Sequence, residues 1–258
     1  MENDVRLEVV RQGLHTMRIE RRAEMPVRTV LDLLKTKGAL LKQSKKAETT
    51  LVGPFVVKRG RGRNRRAWAA SWHLERAQIP VAAAYAYVEH AWLGFVTGNA
   101  FLSAALVACC TVEEHAAKLV RGKTDSNDVA EYLARIAALV NRLTESGAHH
   151  ADLSGKNILT RDGLQFWLID LDSVVMGKPY TDRLRLKNHV QLYDSFCDLW
   201  GDDVLVPFLQ AMLPPETDVA RWMEQVRKRQ LQRRLRTVRA WAIERERSER
   251  GPNRPTPA

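Results

Sequence analysis

Apolar and polar positions along the chain change period near residue 99, and the change separates two kinds of structure. Residues 1–25 alternate irregularly, as strand and loop at an exposed sheet edge. Val27, Val30, Leu31 and Leu34 share one face of a short helix over Val27 to Lys35. After Gly38-Ala-Leu-Leu-Lys comes a polar tip, Gln43-Ser-Lys-Lys-Ala-Glu-Thr-Thr. Thr49 to Lys58 then returns as a strand, which predicts a hairpin. A helix is predicted from about Asn64 to Ala77, with Ala67, Trp68, Ser71, Trp72 and Leu74 inward and Pro80 at its end. Tyr85–Glu89 and Leu93–Thr97 read as two further strands.

From residue 99 the spacing is helical. Ser126-Asn-Asp opens a helix that Gly147 stops, and Val129, Leu133, Ile136, Val140 and Leu143 recur on one face. Residues 183–213 read as helical, broken at Pro207, Pro214 and Pro215. Residues 218–250 predict one long basic helix with Leu231, Leu235, Val238 and Ala242 as its apolar stripe. Ala91 to Val112 is 22 residues without a charge, long enough to span a bilayer. Gly94, Thr97, Gly98, Asn99, Ser103 and Thr111 interrupt it, so a buried strand, turn and helix is expected there instead.

Composition changes the picture in two ways. The 258 residues carry 3 Cys and 45% hydrophobic residues, a globular balance without a disulfide framework or a CxxC metal site. The first residues lack a basic start followed by an apolar core, so a reducing, cytoplasmic setting is expected. The net charge of +11 is uneven. Lys58, Arg59, Arg61, Arg63, Arg65 and Arg66 form one acid-free run, and residues 221–250 hold eleven Arg or Lys against four Glu. Such segments suit an anionic partner: a phosphorylated ligand, an acidic membrane surface or nucleic acid. For the second segment a solvated helix face packed through its leucines is the plainer alternative. No aromatic interleaving or base-reading motif points to specific nucleic-acid binding.

Chemistry concentrates in Ala148-His-His-Ala-Asp-Leu-Ser-Gly-Lys-Asn-Ile-Leu-Thr-Arg-Asp-Gly-Leu-Gln-Phe-Trp-Leu-Ile-Asp-Leu-Asp-Ser. Asn157-Ile-Leu-Thr and Phe166-Trp-Leu-Ile predict a hairpin around Arg161-Asp-Gly, which brings Asn157 and Asp170 to one end beside Asp152. A carboxylate with an amide oxygen suits Mg²⁺ shared with phosphates. A second carboxylate nearby can accept the proton of an attacking hydroxyl. Asp172 reads as a second acid of the metal site or as a helix cap.

His-x-Asp-x-x-x-x-Asn, with an Asp thirteen residues beyond the Asn, resembles the active-site arrangement of the protein-kinase-like fold. With Asn-Ile-Leu and Leu-Ile-Asp-x-Asp, it looks most like the lipopolysaccharide core kinase family, whose members phosphorylate Kdo or heptose. Phe55-Val-Val-Lys58 resembles the strand bearing the ATP lysine, and Trp68 to Val81 the helix leading into a Pro-containing strand. The resemblance implies an α+β, bilobal fold with a small β-rich N-lobe containing one helix and a larger helical C-lobe. The lobes would span 1–98 and 99–217, followed by a basic helical extension over 218–250 and a disordered tail over 251–258.

The resemblance also implies roles. Asp152 would be the base or orienting residue, His150 would support its loop, and Asn157 and Asp170 would hold Mg²⁺. Lys58 would contact the ATP phosphates with Glu75, seventeen residues on, as its partner, and Ser44 and Lys45 would cover the phosphates. Leu93–Asn99 would be the hinge around adenine. The acceptor would be a lipopolysaccharide core sugar at the cytoplasmic face of a Gram-negative inner membrane, with the basic helix on anionic lipid. The departures are a missing Gly-x-Gly-x-x-Gly, Ala67 where the family helix has Glu, Ala151 in place of the Arg of His-Arg-Asp, and no Ala-Pro-Glu. They leave open a kinase of another small molecule such as an aminoglycoside, a protein kinase, or a non-catalytic pseudokinase or basic scaffold. The oligomeric state is not legible.

Overall fold

Alternating side chains over Val5–Gln12 (β1) and His15–Arg22 (β2) pair as an antiparallel hairpin, and the second strand turns Ile19 and Arg21 inward. The structure, a computed structural model, describes residues 5–44, 47–61 and 64–249. Lys45, Lys46, Arg63 and the expected tail 251–258 lie outside the described residues. Five more strands, β3 (Ala39–Gln43), β4 (Ala47–Val52), β5 (Phe55–Gly60), β6 (Ala84–Trp92) and β7 (Phe95–Ala104), complete a seven-stranded sheet in the order β1-β2-β6-β7-β5-β4-β3. One face buries Ile19, Val57, Val88, Ala100 and Leu102 together with Val30 of α1 (Val27–Lys35). The opposite face carries Tyr87 and Phe101 toward α2 (Asn64–Arg76). Lys58 lies directly opposite Phe101 in register, so it shares that second face.

The rest of the chain is mostly helical. A two-residue strand β8 (Cys110–Thr111) leads into α3 (Val112–Arg121) and α4 (Ser126–Glu145). Asp125 caps α4 by accepting from the Asn127 N–H at 2.7 Å. Val129, Leu133, Ile136, Val140 and Leu143 are all buried, as their spacing predicts, and each contributes about 1.5–3 kcal/mol of burial. Short strands β9 (Ala148–His150), β10 (Ile158–Arg161), β11 (Gln165–Leu168) and β12 (Val174–Met176) sit between α4 and the last helices, α5 (Asp182–Phe196), α6 (Asp202–Gln210) and α7 (Val219–Glu249). The expected hairpin forms as β10 and β11, and its turn needs positive φ at Asp162 (+56°) and Gly163 (+69°). A Cβ on Gly163 would lie 2.6 Å from His115 Nε2, so a larger residue would have to displace the His115 ring and also strain the backbone.

Several expectations are corrected. Thr49 to Lys58 is two strands, because Gly53 (φ +56°) and Pro54 turn the chain between β4 and β5. The helical reading from residue 99 fails at its start: β7 continues to Ala104, pairing with both β5 and β6, and residue 98 falls inside that strand. Pro207 lies within α6, and the break comes earlier, over Cys197–Gly201. In α7 the apolar stripe points outward. Leu231, Leu235 and Val238 are 57%, 49% and 60% exposed, while Trp222, Met223 and Val226 pack inward. None of the helices among the described residues is long and apolar enough to cross a membrane.

Candidate active site

β5 carries Lys58 to the edge of the small lobe, and the loop after β11 raises Asp170 from below. Lys58 Nζ donates to Asp170 Oδ1 at 3.0 Å and lies 3.2 Å from Asp172 Oδ2. Burial alone would lower the Lys58 pKa, but the two carboxylates outweigh it and raise it. Burial also opposes ionisation of Asp170. The ammonium of Lys58 overcomes this and holds the carboxyl below its ordinary range, helped by Lys42 of β3. Asp172 is pushed the other way, by burial and by the neighbouring Asp170 charge against the pull of Lys58. The pair therefore presents one firmly ionised carboxylate and one that takes up a proton more readily.

Asp152 sits on the loop after β9, exposed beside this cluster. Asn157 Nδ2 donates to the Asp152 carbonyl at 2.7 Å, so its amide oxygen is directed away from that carbonyl. The Ile169 N–H donates to the Asn157 carbonyl at 3.0 Å, tying the Asp170 loop to the Asp152 loop. Asp170 itself has left-handed backbone (φ +58°, ψ +46°). His150 is fully buried and works through both ring nitrogens. Nδ1 accepts from the Asp152 N–H at 3.2 Å, and Nε2 donates to the Ile169 carbonyl at 3.1 Å. Burial lowers its pKa, in keeping with a neutral ring that reaches no open surface.

The residues brought together are thus Lys58, Asp152, Asn157, Asp170 and Asp172, with His150 beneath them. Glu75 is not among them, and its expected pairing with Lys58 is corrected. It lies in the last turn of α2 and forms an ion pair with Arg22, 2.6 Å from Arg22 Nη2. The start of α2 is the end near Lys58, where Asn64 Nδ2 donates to the Lys58 carbonyl at 3.0 Å. Glu75 is three helical turns further on, roughly 16 Å along the axis. The expected hinge at Leu93–Asn99 is also corrected: Leu93 (φ +49°) and Gly94 make the β6–β7 turn. The chain passes between lobes after Ala104. Ser44 closes the end of β3, with its hydroxyl 3.1 Å from both the N–H and the carbonyl oxygen of Ala47. Its partner in the expectation, Lys45, lies outside the described residues.

Reading for motifs missed the wall behind Asp152. α5 presents a buried polar stripe in which Gln191 donates from Nε2 to Asp152 Oδ1 and accepts the Leu153 N–H at 3.2 Å. Asn188 donates to the His150 carbonyl at 2.8 Å, Lys187 to the Ala151 carbonyl, and the Ser195 hydroxyl accepts the Gly155 N–H at 2.9 Å. Polar residues at 188, 191 and 195 on the inward side of a helix are a signal that spacing could have given. A separate cavity of about 490 Å³, lined by Met17, Leu31, Leu34, Arg59 and His90, opens beside α1 on the sheet face opposite Lys58 and holds none of these groups.

Against this geometry, the model of the lipopolysaccharide kinase (Kdo/WaaP) family matches residues 55–233, which include every member of the cluster. The chain belongs to that family. Among solved structures, WaaP in complex with acyl carrier protein is similar with a TM-score of 0.60 and 20% identity, over 77% of this chain and 91% of that one. A glucosamine kinase in complex with glucosamine, ADP and inorganic phosphate gives 0.45 and 14%, over 88% and 80%. WbdD gives 0.47 and 14%, over 74% and 50%. No curated protein sequence matches the chain. This lipopolysaccharide kinase family member shares the fold of the WaaP structure, with a β-rich N-terminal sheet and a helical C-terminal part. The protein is an enzyme, a phosphotransferase with an alcohol group as acceptor.

Proposed function

We propose that the protein transfers the γ-phosphoryl group of ATP to a hydroxyl of Kdo or heptose in the lipopolysaccharide inner core, working at the inner face of the membrane that holds this acceptor. The observation that carries the reading is the meeting of Lys58, from the sheet, with Asp170 beside Asp152 and Asn157 of the larger lobe. In this reading Lys58 engages the nucleotide phosphates, and Ser44 and Lys42 of the β3–β4 hairpin cover them. Asp152 orients the acceptor hydroxyl and takes its proton as the oxygen attacks phosphorus. His150 holds the loop and exchanges no proton with substrate.

The donor chemistry also fits Mg²⁺. Among the described residues no group of three or more His, Cys, Asp or Glu is arranged to hold a metal. The Asp170 carboxylate and the Asn157 amide oxygen would supply two hard ligands, leaving the remainder to phosphates and water, as Mg²⁺ prefers. When bound, the ion would neutralise phosphate charge.

The test is transfer of labelled phosphate from ATP and Mg²⁺ to purified core lipopolysaccharide, with the labelled sugar mapped afterwards. Label on a Kdo or heptose hydroxyl is the expected result. ATP binding without transfer to the core would overturn the acceptor assignment.

Gln191 gives a second expected outcome. The Leu153 N–H fixes which end of its amide faces Asp152, so it clamps Oδ1, while Oδ2 has only a 3.4 Å contact with Asn157 Nδ2. A hydrogen bond to a charged group is worth about 1.5–3 kcal/mol. Gln191→Met should therefore lower kcat roughly ten- to a hundredfold with little change in the KM for ATP. Steady-state kinetics alongside a melting curve check this, and a rise in KM alone would contradict the clamp.

A further inference from the structure

From Lys228 onward, α7 presents an amphipathic side that the fold leaves uncovered. Its first half is anchored: Trp222 Nε1 donates to His189 Nδ1 at 2.9 Å, Gln230 Nε2 to Asp194 at 2.9 Å, and Arg234 bonds Asp194 and Asp198 at 2.7 and 2.8 Å. These contacts fix which side of the helix meets α5. Leu231, Leu235 and Val238 follow one another at helical spacing on another side, while Trp241, seven residues after Arg234 and on its side of the helix, is 67% exposed. At that period Lys228 and Arg239 run beside the stripe, with Arg229 and Arg236 further round, all exposed. Residues 227–239 contain no acid.

We propose that this stretch of α7 docks in the plane of an anionic lipid bilayer, with Leu231, Leu235 and Val238 entering the headgroup boundary, Trp241 at one margin of the stripe, and Lys228 and Arg239 at the other margin meeting the lipid phosphates. Charge complementarity selects this occupant. A second copy of the chain pairing through the same stripe would set cations against cations, since no acid stands among them. A nucleic-acid backbone would gain from the arginines but would face an apolar stripe in the middle of them. A bilayer surface meets both features at once, and an exposed tryptophan suits the boundary where one side is apolar and the other wet.

The proposal rests on the membrane location given above and adds the element that holds the enzyme there. α5 joins the two: it takes the Trp222 and Arg234 contacts of α7 and carries Gln191 against Asp152. A docked α7 would thus hold the catalytic loop at a set height over the surface that carries the acceptor.

The test uses the full chain with vesicles of phosphatidylcholine alone or mixed with phosphatidylglycerol, read by co-sedimentation. Wild type should pellet with the anionic vesicles and stay free of the neutral ones. Leu231→Gln, Leu235→Gln and Val238→Gln combined should weaken binding roughly tenfold or more. Lys228→Gln and Arg239→Gln combined should weaken it roughly 25-fold, since each cation near such a surface is worth about fivefold. Both variants should keep wild-type transfer to detached core oligosaccharide, which shows that they fold. Failure of wild type to bind anionic vesicles would overturn the proposal. So would equal binding to neutral vesicles, or an apolar variant that binds like wild type. A concentration-dependent dimer lost in the apolar variant, without vesicle binding, would overturn it in favour of a second copy. Vesicle binding with no phosphate transfer would leave the docking intact and strike the functional reading instead.

Discussion

Asp152→Asn should reduce kcat for sugar phosphorylation by about 10²–10⁴-fold while leaving ATP affinity close to wild type. The structure separates these two effects. Asp152 is exposed, and the ion pairs of Lys58 are with Asp170 and Asp172, so the phosphate contacts proposed for Lys58 do not depend on Asp152. Its Oδ1 is held by Gln191, and Oδ2 has only a 3.4 Å contact with Asn157 Nδ2. An asparagine retains the shape and one acceptor but cannot take the hydroxyl proton. The loss corresponds to about 3–5 kcal/mol of transition-state stabilisation. Steady-state rates with core lipopolysaccharide, set beside calorimetric ATP binding, check it. A variant retaining a tenth or more of the wild-type rate would remove Asp152 from the chemistry.

How much of this site was legible depended on whether its parts were local. The run from His150 to Asp170 is local: two short strands with a tight turn fix its geometry, and the spacing of Asp152, Asn157 and Asp170 carries over directly. α1 begins and ends where its apolar period does, because one buried face defines it. Ala100-Phe-Leu-Ser-Ala has no such signature. Its small and apolar residues suit either state, and pairing with β5 and β6, both distant in sequence, decides for strand. Glu75 failed for another reason. Its distance from Lys58 in residues was acceptable, but Asn64 pins the near end of α2 and carries Glu75 away toward Arg22. The outward turn of the α7 stripe was likewise invisible, because Asp194 and Asp198 of another segment choose the side of the helix that packs.

The loss of the α2 carboxylate gives Asp170 a double part, and the second large effect follows from it. Asp170→Asn should bring Mg²⁺-dependent transfer down by roughly a thousandfold or more, since the carboxylate serves both Lys58 and the proposed metal site. Asparagine is the right probe. It tolerates the left-handed backbone at φ +58°, where alanine would add about 1–2 kcal/mol of strain. Lys58 keeps Asp172 at 3.2 Å, so the small-lobe contact survives and the protein should stay folded. The diagnostic is the sign of the change in nucleotide affinity. With Mg²⁺ present, ADP should bind more weakly, because a charged ligand for the ion is gone. Without Mg²⁺, ADP should bind as well or better, because one negative charge facing the phosphates has been removed. A merely structural Asp170 would weaken both alike. Calorimetric titration of ADP with and without Mg²⁺ therefore tests the metal assignment apart from turnover, and equal weakening in the two conditions would refute it.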